Sequence, residues 1–145
     1  MKDVARFFKV LSDEARLEIL WLLFNNRELC VCDIMAALRI TQSKASRHLA
    51  TLRHAGLVTD RKAAAWSYYS IRPAGSDLER AMLRTLRAGL AGHEGADRAL
   101  RDLRAWLRRK NRGASCSADG TCGPATIPGT ASRKRGSKPL PGGHG

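Results

Sequence analysis

No stretch of this 145-residue chain is apolar for long enough to cross a bilayer. The longest unbroken run, Ile19 to Phe24, is far below the roughly 20 residues of a spanning helix. No N-terminal segment reads as a secretory signal, so a cytoplasmic location is expected. Also missing are a nucleotide-binding loop, a C-x-x-C pair and an acid–base partner spaced to serve a nucleophile, which argues against an enzyme and against a catalytic cofactor. Acidic residues are scarce: 13 Asp and Glu stand against 26 Lys and Arg, for a net charge of +13. Residues 1–110, with 21 basic and 12 acidic side chains, hold +9 of that charge. An excess of this size favours a polyanion, since neutralised phosphates release their counterions.

Hydrophobic residues thin out after about residue 110. One domain over 1–110 is therefore expected, followed by a flexible Gly/Ser/Pro-rich tail over 111–145 with a basic cluster at Arg133, Lys134, Arg135 and Lys138. No internal repeat is present. The four cysteines fall in two close pairs, Cys30/Cys32 and Cys116/Cys122. In a reducing compartment such pairs read as ligands or redox groups, and residues two apart suit no strain-free disulfide.

Val4, Phe7, Phe8 and Leu11 recur at helical spacing. Ser12 offers an N-cap to a second helix whose buried face is Leu17, Ile19, Leu20, Leu23 and Phe24. Val31 to Leu38 reads as a short third helix, and Thr41 as the cap of a fourth that runs to about Ala55. Two helices joined by a tight turn make a helix-turn-helix. Gly56 ends the fourth helix, Leu57 to Arg61 and Trp66 to Ile71 are strand-like, and Lys62 to Ala65 joins them as a hairpin. After Pro73 to Ser76 comes a helix striped by Leu78, Met82, Leu83, Leu86 and Leu90, and beyond Gly89, Gly92 and Gly95 a last helix carries Leu100, Leu103, Trp106 and Leu107. The fold expected is mainly α with a small β-hairpin: a winged helix-turn-helix in the order α-α-α-α-β-β-α, with a further C-terminal helix and a disordered tail. Apolar stripes at both ends of so small a domain imply a homodimer.

On the fourth helix, Gln42, Ser43, Lys44, Ser46, Arg47 and His48 lie near the end that such motifs place in the major groove. Arg47 and Gln42 are the candidates for base edges, and Ser43, Lys44 and Ser46 for phosphates. A solvated polar face is the competing reading. Arg61 and Lys62 on the hairpin are further candidates for DNA contact, although a basic turn is often only solvated. Trp66, Tyr68 and Tyr69 read as residues packing the hairpin onto the core. His48 and His54 fall on different helix faces and so do not form a metal pair. Cys30 and Cys32 are candidate ligands for a soft ion, or else two small core hydrophobes. In a regular helix residues two apart are rotated by about 200°, so their sulfurs meet only where the start of the third helix distorts.

Leu11-Ser12-Asp13-Glu14-Ala15-Arg16-Leu17-Glu18-Ile19-Leu20, Glu28-Leu29-Cys30-Val31-Cys32-Asp33, Gln42 to Leu49, Ala55-Gly56-Leu57-Val58 and Asp60-Arg61-Lys62 together resemble the ArsR/SmtB family of metalloregulatory repressors, in its arsenical-resistance branch. The likeness covers roughly residues 3–90. It implies a homodimer that binds operator double-stranded DNA near its own promoter and lets go when trivalent arsenic or antimony binds the third helix.

Two positions depart from that pattern. Met35 stands where members with the full motif carry a third cysteine, and the hairpin tip is Ala63-Ala64-Ala65 in place of Gly and Lys. Cys116 or Cys122 on the tail is a candidate third thiolate; alternatively Cys30 and Cys32 suffice for methylarsenite, which has two exchangeable positions. Asp77 and His93 are too few for the zinc site of the related branch. The competing functions are a repressor responding to thiol oxidation and a thiol redox enzyme.

Overall fold

A computed structural model describes residues 1–116 and 122–124 of the chain. Apolar spacing builds its first two helices, α1 (Lys2–Leu11) and α2 (Glu14–Phe24). Asp13, one residue past the expected Ser12, caps α2: its side chain accepts the Arg16 N–H at 3.1 Å. Ser12 instead closes α1, its hydroxyl donating to the Lys9 carbonyl. Ile19 to Leu23 of α2 are all buried, so α2 is the central helix around which the others pack.

A two-residue strand, β1 (Leu29–Cys30), leads directly into α3 (Val31–Leu38), and a short turn connects α3 to α4 (Gln42–His54). The hairpin is β2 (Val58–Ala63) and β3 (Trp66–Ile71), followed by α5 (Asp77–Leu90) and α6 (Glu94–Lys110). The sheet is antiparallel in the order β1-β3-β2, with Leu29 opposite Tyr69 and Cys30 opposite Tyr68. The winged helix-turn-helix is therefore present, with a third strand that two residues were too short to signal in the sequence. Beyond α6, β4 (Ala114–Cys116) and β5 (Cys122–Pro124) pair antiparallel. This corrects the expectation of a tail without structure for those six positions; residues 117–121 and 125–145, including the basic cluster, lie outside the described residues.

The turn of the wing has two residues, and only the first, Ala64, has positive φ (53°). A type II′ turn asks for that conformation and prefers Gly there. Trp66, expected to pack on the core, is 53% exposed, because it flanks the tip of the hairpin, beyond the reach of the helices. Tyr69, deeper in the strand, does pack against the core.

α6 lies antiparallel to α3: Asp33 at the start of α3 meets Trp106 and Lys110 near the end of α6, and Arg39 just past α3 meets Asp102 at 3.3 Å. Ala96, Ala99, Leu103 and Trp106 form its buried face. Asp33 is the one buried charged residue among those described. Its Oδ1 accepts from Trp106 Nε1 at 2.8 Å and from Lys110 Nζ at 3.0 Å, and its Oδ2 accepts from the Cys30 N–H at 3.0 Å. Removing that carboxylate strands two buried donors, each costing about 1–3 kcal/mol; Lys110, partly exposed, is free to find water. Asp33→Ala should therefore lower unfolding stability by about 2–4 kcal/mol, and Trp106→Phe by less. Urea denaturation checks this, and an unchanged midpoint for Asp33→Ala would mean that the carboxylate carries no stability.

Candidate functional site

Thr41 starts α4 as its cap, accepting the Lys44 N–H at 3.3 Å. Ala45, Leu49 and Leu52 turn inward, so Gln42, Ser43, Lys44, Ser46 and Arg47 are left together on the exposed face. His48 is half-buried. Burial holds its pKa below the ordinary value, helped by the positive charges of Arg16, Arg47 and Lys44 and opposed by Asp13, so it is neutral at pH 7. The face thus presents hydrogen-bond groups and two cations at the free end of a helix, where unpaired N–H groups already favour anions. Gly56, with φ of +76°, ends the run; a Cβ there would stand 3.0 Å from an Arg72 guanidinium nitrogen.

On the wing, Lys62 is exposed and its neighbour is occupied. Arg61 donates to both Glu28 oxygens, at 2.7 and 3.3 Å, and lies over the Tyr68 ring at 4.9 Å. That bond draws Glu28 below its usual carboxylate value. Any DNA contact by Arg61 therefore has to compete with an intramolecular partner.

Cys30 and Cys32 do come together, and no distortion of α3 is involved. Cys30 precedes the helix as its N-cap in extended conformation (φ −86°, ψ 169°), while Cys32 lies in the first turn, so the regular-helix geometry expected for the pair does not apply. The two thiols are close enough for Cys32 to be the main influence on Cys30. Cys30 also closes a reciprocal cap with Asp33: the Cys30 sulfur accepts the Asp33 N–H, and the Asp33 carboxylate accepts the Cys30 N–H. Lys110 Nζ lies 3.5 Å from Cys30 Sγ. Cys30 is 2% exposed and Cys32 half-buried.

Cys32 chiefly, then burial and the Asp33 charge, push the Cys30 thiol far above its usual range, against the opposing pull of the Asp33 backbone N–H. Burial draws the Lys110 ammonium down, but Asp33 and Cys30 outweigh it and leave Lys110 raised. Met35 is buried in the core.

Among the described residues no cluster of three or more His, Cys, Asp or Glu is arranged to hold a metal ion. The donor set is two adjacent sulfurs, which fits a soft, thiophilic species that needs two bonds. Cys116 and Cys122 occupy opposed positions of the β4–β5 ladder, and β4 runs beside α3 and α6. Sequence reasoning missed Asp33, Trp106 and Lys110. The local signal was an acidic residue three after Cys30, the spacing of a reciprocal helix cap. Nothing local joins that residue to α6.

Residues 13–60 match the model of the bacterial regulatory protein arsR family. The chain is similar to the arsenical resistance operon repressor of Escherichia coli K12, with 52% identity over 47% of this chain and 58% of that protein. It is 43% identical to an uncharacterized HTH-type transcriptional regulator of Methanocaldococcus jannaschii, over 48% of this chain and 79% of that protein. Its fold is like that of HlyU from Vibrio cholerae N16961, at a TM-score of 0.52 and 36% identity, covering 60% of this chain and 90% of that one. The chain thus spans little more than half the length of its arsenical-resistance relative. With the cap, the exposed α4 face and the wing in place, these likenesses establish that the chain belongs to the arsR family of bacterial regulatory proteins.

Proposed function

We propose that this chain is a metalloid-responsive transcriptional repressor of the cytoplasm, which binds operator DNA as a homodimer and releases it when a trivalent arsenical or antimonial bonds to Cys30 and Cys32. The observation that carries the reading is the placement of two adjacent thiols at the cap and first turn of α3, the helix immediately before α4. Arsenous acid and two thiols give a dithiolated arsenic and two waters: two S–As bonds form, two As–O bonds break, and each departing hydroxide carries off one thiol proton. A raised thiol is no thermodynamic obstacle to that exchange. It does oppose attack on peroxide by Cys30, which needs the free thiolate.

Release follows because Cys30 is the cap of α3. Drawing its sulfur and that of Cys32 onto one atom rearranges the first turn of the helix that supports α4, a difference in binding of the kind that shifts two states, by about 1–3 kcal/mol. The dimer reading is supported by Phe8 of α1 and Leu78 of α5, 58% and 53% exposed, beside a groove of about 230 Å³ between those helices. A second copy would cover them.

Arg47→Ala should weaken operator binding by about 1–3 kcal/mol and relax specificity at one base pair. Gel shifts on operator variants test this, and wild-type affinity for all of them would mean that α4 is not the reading helix. Cys30→Ser and Cys32→Ser should bind operator as the wild type does yet stay bound when arsenite or antimonite is added. A Cys30→Ser protein that still lets go would move the sensor away from α3.

The third sulfur for arsenite, in this proposal, comes from Cys116 or Cys122, a third S–As bond forming as the last As–O bond breaks and its hydroxide leaves as water with that thiol's proton, a reading supported by the position of β4 beside α3. The Cys116→Ser/Cys122→Ser protein should need more arsenite for release but no more methylarsenite, which fills only two bonds. Equal arsenite titrations of this double variant and the wild type would exclude the tail.

A further inference from the structure

The exposed face of α6 has no assigned role. Arg101, Arg104 and Arg108 follow one another at i, i+3 and i+7 on its outer side, and Arg112 continues the row just past the helix end. All four are exposed and none has an ion-pair partner among the described residues, whereas the neighbouring Arg98 pairs with Glu18 and Arg39 with Asp102. Like charges four apart on a helix repel, at a cost of a few tenths of a kcal/mol per pair. The helix macrodipole offsets this only in the last turn, so it accounts for Arg108 and its neighbours but not for Arg101 or Arg104. The row spans about 16 Å, at about 1.5 Å per residue. Beside it is a groove of about 410 Å³ lined in part by Arg39, Arg108, Arg109 and Arg112.

The direction of α6 fixes which surface this row extends. Because α6 runs antiparallel to α3, its middle lies at the turn between α3 and α4, where Arg39 is two residues before the cap of α4. A backbone passing the start of α4 would meet Arg39 and then the arginines of α6.

We propose that the outer face of α6, through Arg101, Arg104, Arg108 and Arg112 with Arg39, is a second DNA-contacting surface, gripping the phosphate backbone beside the segment engaged by α4. The inference rests on the DNA-binding reading above, but α6 lies outside the segment 13–60 that carries the family match. Guanidinium forks suit phosphate oxygens, and such contacts add affinity without reading sequence. α6 therefore anchors the domain while α4 selects the site. It is also the helix that holds Asp33, so both contacts with DNA are attached to α3.

The test measures binding of the full chain to operator and to unrelated duplex across a salt series. It compares the wild type with Arg101→Gln/Arg104→Gln/Arg108→Gln and with a charge-matched control, Arg72→Gln/Arg80→Gln/Arg84→Gln. Losing three phosphate contacts should flatten the salt dependence, so that the fall in affinity between 50 and 200 mM salt shrinks by about 40-fold per protomer, equally on both duplexes. The control should change little, and circular dichroism should show unchanged helix content in both. An α6 variant with the wild-type slope, or a control that flattens as much, would overturn the proposal; the first result would leave the row to an acidic protein partner. A wild type that binds neither duplex would overturn the DNA reading itself, whereas operator binding that depends on Arg47 but not on α6 would remove only this inference.

Discussion

The buried carboxylate of Asp33 is the constraint on which the rest of the molecule depends. A charged group 3% exposed is tolerated only when its oxygens are satisfied, and here an indole, an ammonium and a backbone N–H do so from three directions. Those partners belong to different parts of the chain. Trp106 and Lys110 fix α6 against α3, while the Cys30 N–H fixes the strand that precedes α3. Separating α6 from α3 leaves the buried Trp106 N–H without its acceptor, and moving the preceding strand does the same to the Cys30 N–H, so the first turn of α3, the residue that caps it and the last helix are coupled.

That arrangement would give the proposed thiol site mechanical leverage. A sulfur on a freely exposed side chain can swing to a ligand without disturbing its neighbours. The sulfur of Cys30 accepts the backbone N–H of Asp33 and lies beside Lys110 and close to Cys32, so a new bond to it has to be accommodated by rearranging the cap. α3 is followed, after a short turn, by α4 with its outward row of Gln42, Ser43, Lys44, Ser46 and Arg47. In the proposed function, sensor and reading surface would therefore be adjacent elements of a single packed unit, and no long pathway between them is required. In the proposed metalloid exchange the raised Cys30 thiol is no obstacle, because each hydroxide that leaves arsenic carries off a thiol proton.

Much of the fold was legible because its signals are local. The cap Thr41, the end of α4 at Gly56 and the apolar spacing of α1, α2 and α5 depend on residues within a turn or two of each other, and each of these elements formed where its signal stood. The shift of the α2 cap from Ser12 to Asp13 is an error of one residue between two good caps. β1 was not legible, since two residues carry no period; its existence depends on Tyr68 and Tyr69, nearly 40 residues away. The hairpin after α6 was hidden for a similar reason, as composition reports the scarcity of apolar residues and not the pairing of a few backbone groups.

The cysteine pair divides in the same way. Sequence alone determined that Cys30 and Cys32 are close, that they stand at the start of a helix-turn-helix and that the chain is basic, because proximity along the chain and net charge are properties of the chain itself. Tertiary structure decided that Cys30 lies outside the helix and is held there by β3, that its side chain is buried close to Cys32, and that α6 doubles back antiparallel onto α3. It also decided that Arg61 is tied to Glu28 and that four arginines of the α6 segment share one face with no ion-pair partner among the described residues. These outcomes depend on which groups find partners once the core has closed. Spacing in the sequence cannot supply this, since the cost of an unsatisfied buried group arises only when water has been excluded from it.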